Sequence, residues 1–248
     1  MMTLLLPLLL ACAGDKDQNP GDGDADTDTD SDTDTDTDTD ADSDTDSDTD
    51  SDADADADAT CSRYSGIQGV GTTWEYDLSG SSYEGSYTLV VTDLDGGDVT
   101  MEQHQEYAGT GYTYEADAVL SYRCKDEGMY LSSNRTEYVT VSSGSSYEGW
   151  SETTYTPSAL VLPYDLAVGD TWDVTMNYTT ETGTTDPISG SLSYSYEVVK
   201  EEEVEVEAGT YTALKVSSKV SGSTYSSWIA KGVGTVQGDG TELVRYEP

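Results

Sequence analysis

From about residue 61 onward, apolar or aromatic residues alternate with polar ones. Leu192, Tyr194, Tyr196 and Val198 share one face of an extended segment, and Val204 and Val206 share a face with Glu203, Glu205 and Glu207 opposite. A period of two marks a strand with one buried and one wet face, the pattern an antiparallel sheet uses. Such runs predict strands at Thr72–Leu78, Tyr83–Thr92, Val99–Tyr107, Tyr112–Cys124, Gly128–Leu131, Glu137–Val141 and Tyr147–Tyr155. Further ones are predicted at Thr171–Thr179, Ser189–Lys200, Glu203–Glu207, Thr210–Val220, Tyr225–Ile229, Gly234–Gln237 and Glu242–Tyr246. Turn residues such as Asp95-Gly96-Gly97 and Glu207-Ala208-Gly209 separate them, and no stretch sustains a helical period. The expected fold class is all-β: a large curved antiparallel sheet, half-barrel or barrel-like. About a dozen strands without covering helices curl on themselves. Val70-Gly71-Thr72-Thr73-Trp74-Glu75-Tyr76 is echoed by Val168-Gly169-Asp170-Thr171-Trp172-Asp173-Val174, so two related halves are plausible.

The pattern stops before residue 61. Residues 1–11 form a short apolar run, too short to span a bilayer as a helix and matched to the apolar part of a secretory signal. Residues 12–60 are dominated by an Asp-Thr/Ser/Ala dipeptide repeat, with Asp at every even position from Asp22 to Asp58. The repeat has no large apolar residue to bury, so it is expected to be a disordered, charge-expanded tether. Its full reach from Cys12 to Cys61 is about 165 Å at ~3.4 Å per residue. The domain is then residues 61–248. The tether's carboxylates can bind calcium diffusely, but the repeat lacks the glycine turn and ligand spacing of a built calcium loop. No cofactor is expected.

The formal net charge is −40, and half of it lies in the β domain. So acidic a surface repels phosphate and excludes nucleic-acid binding. The chain has nineteen Tyr and four Trp but no Phe, which suits a half-wet sheet. Trp74, Trp150, Trp172 and Trp228 read as core, Trp150 the least clearly because it sits among Gly and Ser. His104 is the only histidine, and with Glu102 and Glu106 on its face it reads as part of an exposed polar stripe. One His without Cys partners is a poor metal site, and no Ser/His/Asp set can be singled out. Asp93, Asp95 and Asp98 around Gly96-Gly97 read as a hairpin turn. The chain is therefore expected not to be an enzyme. Cys61 and Cys124 are the only cysteines after Cys12 and are expected to pair in an exported protein.

Two resemblances extend this reading. Leu9-Leu10-Ala11-Cys12 resembles the lipobox of bacterial lipoproteins. That implies cleavage before Cys12, its lipidation, and a membrane anchor in the cell envelope; Ala13 after it suits the outer membrane. Leu166-Ala167-Val168-Gly169-Asp170-Thr171-Trp172, Glu207-Ala208-Gly209-Thr210-Tyr211-Thr212-Ala213-Leu214-Lys215-Val216 and Trp228-Ile229-Ala230-Lys231-Gly232-Val233-Gly234-Thr235-Val236 resemble segments of envelope lipoproteins of unknown function. Those are likened to the half-barrels of periplasmic lipoprotein carriers, which implies a curved sheet with an apolar concave side and supplies no catalytic residue. The expected partners are the membrane and an apolar or peptide ligand or an envelope protein. The alternative is a calcium-dependent adhesion or structural module.

Overall fold

A computed structural model describes residues 61–183 and 185–248. The leader, Cys12 and the Asp-rich repeat lie outside the described residues. Twelve strands follow one another: β1 (Thr73–Gly80), β2 (Tyr83–Asp95), β3 (Asp98–Gly109), β4 (Tyr112–Lys125), β5 (Gly128–Ser142) and β6 (Ser145–Pro163). Then come β7 (Thr171–Thr182), β8 (Ile188–Val206), β9 (Gly209–Val220), β10 (Ser223–Ala230), β11 (Gly234–Gly238) and β12 (Thr241–Glu247). Each strand pairs with its chain neighbour, and β1 pairs with β12, closing an up-and-down antiparallel barrel. Closure leaves no unpaired sheet edge. The apolar concave side implied by the half-barrel resemblance is thus the inner wall of a full barrel.

Fourteen predicted segments became twelve strands. Gly128–Leu131 and Glu137–Val141 are two ends of β5, and Ser189–Lys200 and Glu203–Glu207 are two ends of β8. In both strands a change of register interrupts the period of two without ending the pairing: after Leu131 in β5 and after Val198 in β8. β6 also runs past the predicted Tyr155 to Pro163, its register against β5 skipping from Thr154 to Ala159. Pro157 falls in that skipped segment, where a residue without an N–H costs the ladder nothing.

The two Val-Gly-x-Thr-Trp segments adopt one geometry. Gly71 and Gly169 have φ of 97° and 95°, a backbone conformation that needs glycine. Their N–H groups donate to Val91 O and Val198 O, both at 2.8 Å, while Val91 N and Val198 N donate to Thr72 O and Asp170 O, both at 2.9 Å. A bulge follows Val91 in β2 and Val198 in β8. β1–β6 and β7–β12 therefore open in the same way, as two related halves.

One end of the barrel, the base, is plugged by residues 61–72. Ser62 Oγ donates to Pro163 O at 2.6 Å and Tyr64 OH to Leu166 O at 3.0 Å, while Gly232 N donates to Arg63 O at 2.8 Å. These contacts reach the β6–β7 and β10–β11 connections, and the Cys61–Cys124 disulfide fastens the plug to the end of β4. Above the plug the core is dense: Val91, Met176, Val236 and Leu243 are fully buried. The disulfide closes a loop with a sequence separation of 63, so replacing both cysteines by Ser should cost about 4 kcal/mol by loop-closure entropy. Met176→Ala, which opens a cavity, should cost about 2–5 kcal/mol. Urea unfolding of the oxidised protein and each variant checks both values.

Candidate functional site

The other end of the barrel, the mouth, is framed by short turns between β1 and β2, β3 and β4, β5 and β6, β9 and β10, and β11 and β12, and by a longer turn between β7 and β8. Residues that share the core-facing side of their strands remain half-buried here. They include Tyr107 on β3, Tyr114 on β4, Tyr138 on β5, Tyr178 on β7, Tyr194 on β8 and Tyr225 on β10. Water therefore reaches side chains whose strand neighbours toward the base are sealed. On the β2–β6 side the rings form a ladder. Tyr107 stacks on Tyr114 with centroids 4.7 Å apart, Tyr83 lies 5.5 Å from Tyr107, and Tyr138 lies 6.2 Å from Tyr114 and 6.0 Å from Tyr147. Glycines let these rings lie against the wall. A Cβ at Gly149 would meet the Tyr138 ring and one at Gly190 the Tyr178 ring, and Gly80 and Gly109 stand in the same relation to Tyr83 and Tyr112. Aromatic cover over a cross-strand glycine protects the bare backbone, and it folds the rings back along the wall.

Among and below the tyrosines lies a buried polar belt: Gln103, Gln105, Asn134, Thr153, Thr180, Ser218 and Ser227. Gln103 Nε2 donates to Gln105 Oε1 at 3.3 Å, and the Thr153 and Thr180 hydroxyls lie 2.9 Å apart. From rim to belt, the core-facing positions carry Tyr, Gly, Ser, Thr, Gln, Asn and aliphatic residues and no charged side chain. Burial pushes the Tyr87, Tyr122, Tyr155 and Tyr196 phenols far above their ordinary range, because the ionised form loses its hydration. These groups stay protonated at any physiological pH.

The outer wall holds the charges and most of the side chains that the sequence singled out. His104 Nδ1 lies 2.8 Å from Asp117 Oδ1, with both side chains largely exposed. The hydrogen bond to Asp117, more than the fields of Glu115 and Glu106, raises the His104 pKa above 6.5, against a smaller opposing desolvation. Two shallow outer clefts of about 420 and 480 Å³ share Asp117 and Glu137. Trp150 borders the larger, with the Arg135 guanidinium 5.3 Å from its ring. Asp98 makes a bidentate pair with Arg123 beside the Gly96-Gly97 turn, which holds its carboxyl below the ordinary range. Of the four tryptophans, Trp74 is core, donating Nε1 to Val233 O at 2.6 Å, and Trp172 stacks on Tyr196 inside the barrel. Trp150 departs from the core expectation, and Trp228 is partly buried, packed against the edge of the core. Trp228 pairs across strands with Lys215, whose ammonium covers its ring, and donates Nε1 to Glu202 Oε1 at 2.8 Å. Among the described residues no group of three or more His, Cys, Asp or Glu side chains converges to hold a metal ion.

A family model described as DUF3108-like matches residues 88–240, more than half of the chain. The chain belongs to the DUF3108-like family. No curated protein matches it, and no solved structure does. The DUF3108-like match begins within β2 and ends at the β11–β12 turn, so it takes in most of the mouth tyrosines and the whole polar belt. It leaves out Cys61 and the plug.

Sequence reasoning passed over the belt and the ladder. Each tyrosine looked like a strand residue, and only the Gly-x-x-Tyr spacing at Gly80-Tyr83 and Gly109-Tyr112 signalled rings laid over glycines at the turns. The His104–Asp117 pair stabilises the fold fully below pH 6.5, and that contribution fades as pH rises through the raised value. Asp117→Asn should return the His104 titration toward its ordinary midpoint without altering the barrel. An imidazole proton NMR titration of the single histidine checks this, and an unmoved midpoint would show that Asp117 does not set it.

Proposed function

We propose that this DUF3108-like protein is a non-catalytic lipoprotein of the bacterial cell envelope, anchored through a lipidated Cys12. In this reading its β domain, held off the membrane on the acidic tether, takes an uncharged apolar or peptidic ligand into the barrel mouth. The observation that carries the binding part is the set of half-buried tyrosines on the inner wall. Rings that face inward yet stay wet are costly in a finished core, whereas a ligand site combines apolar lining with a few placed polar groups.

Three further features support the reading. From rim to belt the wall carries no carboxylate, imidazole or amine, and burial holds the Tyr155 and Tyr196 phenols protonated. Residue 61 lies at the plugged base, the end of the barrel opposite the mouth. The lipobox-like Leu9-Leu10-Ala11-Cys12 supplies an anchor. Two or three acyl chains, at about 0.8 kcal/mol per buried methylene, hold a protein stably on a membrane.

The anchor and the site are tested separately. Cys12→Ser should move the protein from the membrane to the soluble fraction and abolish labelling by an alkyne fatty acid. Native mass spectrometry of the exported protein should show a co-purifying mass that leaves on mild activation. The same bare mass from every preparation would count against a ligand in the mouth.

A further inference from the structure

Closure gives every strand two neighbours, but not over its whole length. β6 runs from Ser145 to Pro163 and pairs with β5 from its first residue to its last. Its ladder with β7 covers only Ser151 to Tyr155, opposite Thr182 to Tyr178. The β5–β6 hairpin therefore rises past the end of β7. The Trp150 indole lies against Gly183, just beyond the last pair. From there to the tip, residues 145–149 have no ladder partner on the β7 side among the described residues. Ser145, Ser146, Tyr147 and Glu148 are exposed, Tyr147 at 56%.

A strand edge with free N–H and C=O groups is a template for another strand, and proteins ordinarily block it with devices such as proline or lysine. β6 blocks its other unpaired stretch in that way. Residues 156–163 also lack β7 partners among the described residues, and Pro157 and Pro163 stand there. Residues 145–149 read Ser-Ser-Tyr-Glu-Gly, with neither proline nor lysine. One stretch is guarded, and the other, at the rim of the mouth, is open.

The surroundings select a partner by charge. An added strand shares the two faces of β6. Outward lie Glu148 and Trp150, whose cross-strand partners are Val139 and Glu137. With Glu115 and Asp117 of β4 these four line the outer cleft of about 480 Å³. Arg135 is already held by Glu137, Glu152 and the Trp150 ring. No salt bridge reaches Glu115 or Glu148 among the described residues. Inward lies Tyr147, its ring 6.0 Å from that of Tyr138 on the wall of the mouth.

We propose that residues 145–149 of β6 form an edge to which an extended segment of a partner protein adds as a further strand. That segment carries Lys or Arg at its outward positions and apolar residues at the alternate, inward ones. The backbone ladder supplies the contact, and the two faces supply the choice. A second copy of the chain is the poorer occupant. It would set Glu148 beside its own equivalent, between two domains that each carry half of a −40 net charge, and like fields repel. The Asp-rich repeat is disfavoured for the same reason. A ligand within the mouth is not required.

The test titrates the full-length protein with an end-blocked peptide of alternating Lys and Val, read by calorimetry and hydrogen exchange. The peptide should bind with a Kd of about 10–100 μM at low salt and slow amide exchange in residues 145–149. Two analogues, N-methylated at every Lys or at every Val, remove the backbone donors of one strand edge each. One should bind at least about tenfold more weakly and the other nearly as well. Glu148→Lys, at an exposed position, should leave Tm within about 1–2 °C and weaken binding about three- to tenfold. No binding at about 1 mM peptide overturns the proposal. So does equal binding of both analogues, equal binding of a Glu and Val peptide, or a Kd unmoved by Glu148→Lys. Slowed exchange on β7 and β8 instead of residues 145–149 would overturn it in favour of a peptide inside the mouth. Slowed exchange in residues 145–149 that grows with protein concentration alone would overturn it in favour of a second copy.

Discussion

Everything in this domain depends on the pairing of β1 with β12. That contact turns a meander into a closed surface and divides every strand into a wall facing water and a wall facing a lumen. Closure also sets a width. About eight strands enclose a space that side chains alone can fill, and the diameter grows with strand number. Twelve strands leave more room than Val, Leu and Met can occupy. The protein meets the excess with the 61–72 plug at the base and, in the core next to it, with large aromatic side chains such as Trp74, Tyr76, Tyr87 and Tyr122. At the mouth the excess is left partly wet.

The choice of tyrosine follows from the same width. A phenylalanine on a half-wet inner wall would waste its edge, whereas tyrosine stacks by its face and satisfies water or a partner with its hydroxyl. Near the base the hydroxyls find backbone carbonyls: Tyr64 at Leu166, Tyr76 at Thr235 and Tyr246 at Gly66. In the β6–β10 wall, Tyr155 and Tyr196 find none among the described residues. The two halves share one local geometry at their openings and differ here, since Trp74 has the β10–β11 connection against its indole. Charge is divided by the same surface. The acidic residues of β3, β4, β5 and β8 alternate outward, while the rim-to-belt lumen is neutral.

The strands, their antiparallel use and the cysteines available to pair could all be read from the chain, because period-two alternation and turn residues are local signals. Their failures were local too. The register changes after Leu131 and Val198 broke the alternation, so β5 and β8 each looked like two strands. Trp150 looked like core because tryptophan usually is, but it borders an outer cleft beside Arg135.

The sequence by itself determined an all-β domain after residue 61, a strongly acidic exterior and an echo between its halves, since composition and nearest-neighbour periodicity carry these. Only the tertiary structure decided that the sheet closes, that residues 61–72 stopper one end and that the other end is a wet, tyrosine-lined mouth. Only there are the Tyr155 and Tyr196 hydroxyls buried without a partner among the described residues. Those outcomes depend on which strands meet across the barrel and on how wide it becomes. Neither quantity is written in any short stretch of chain.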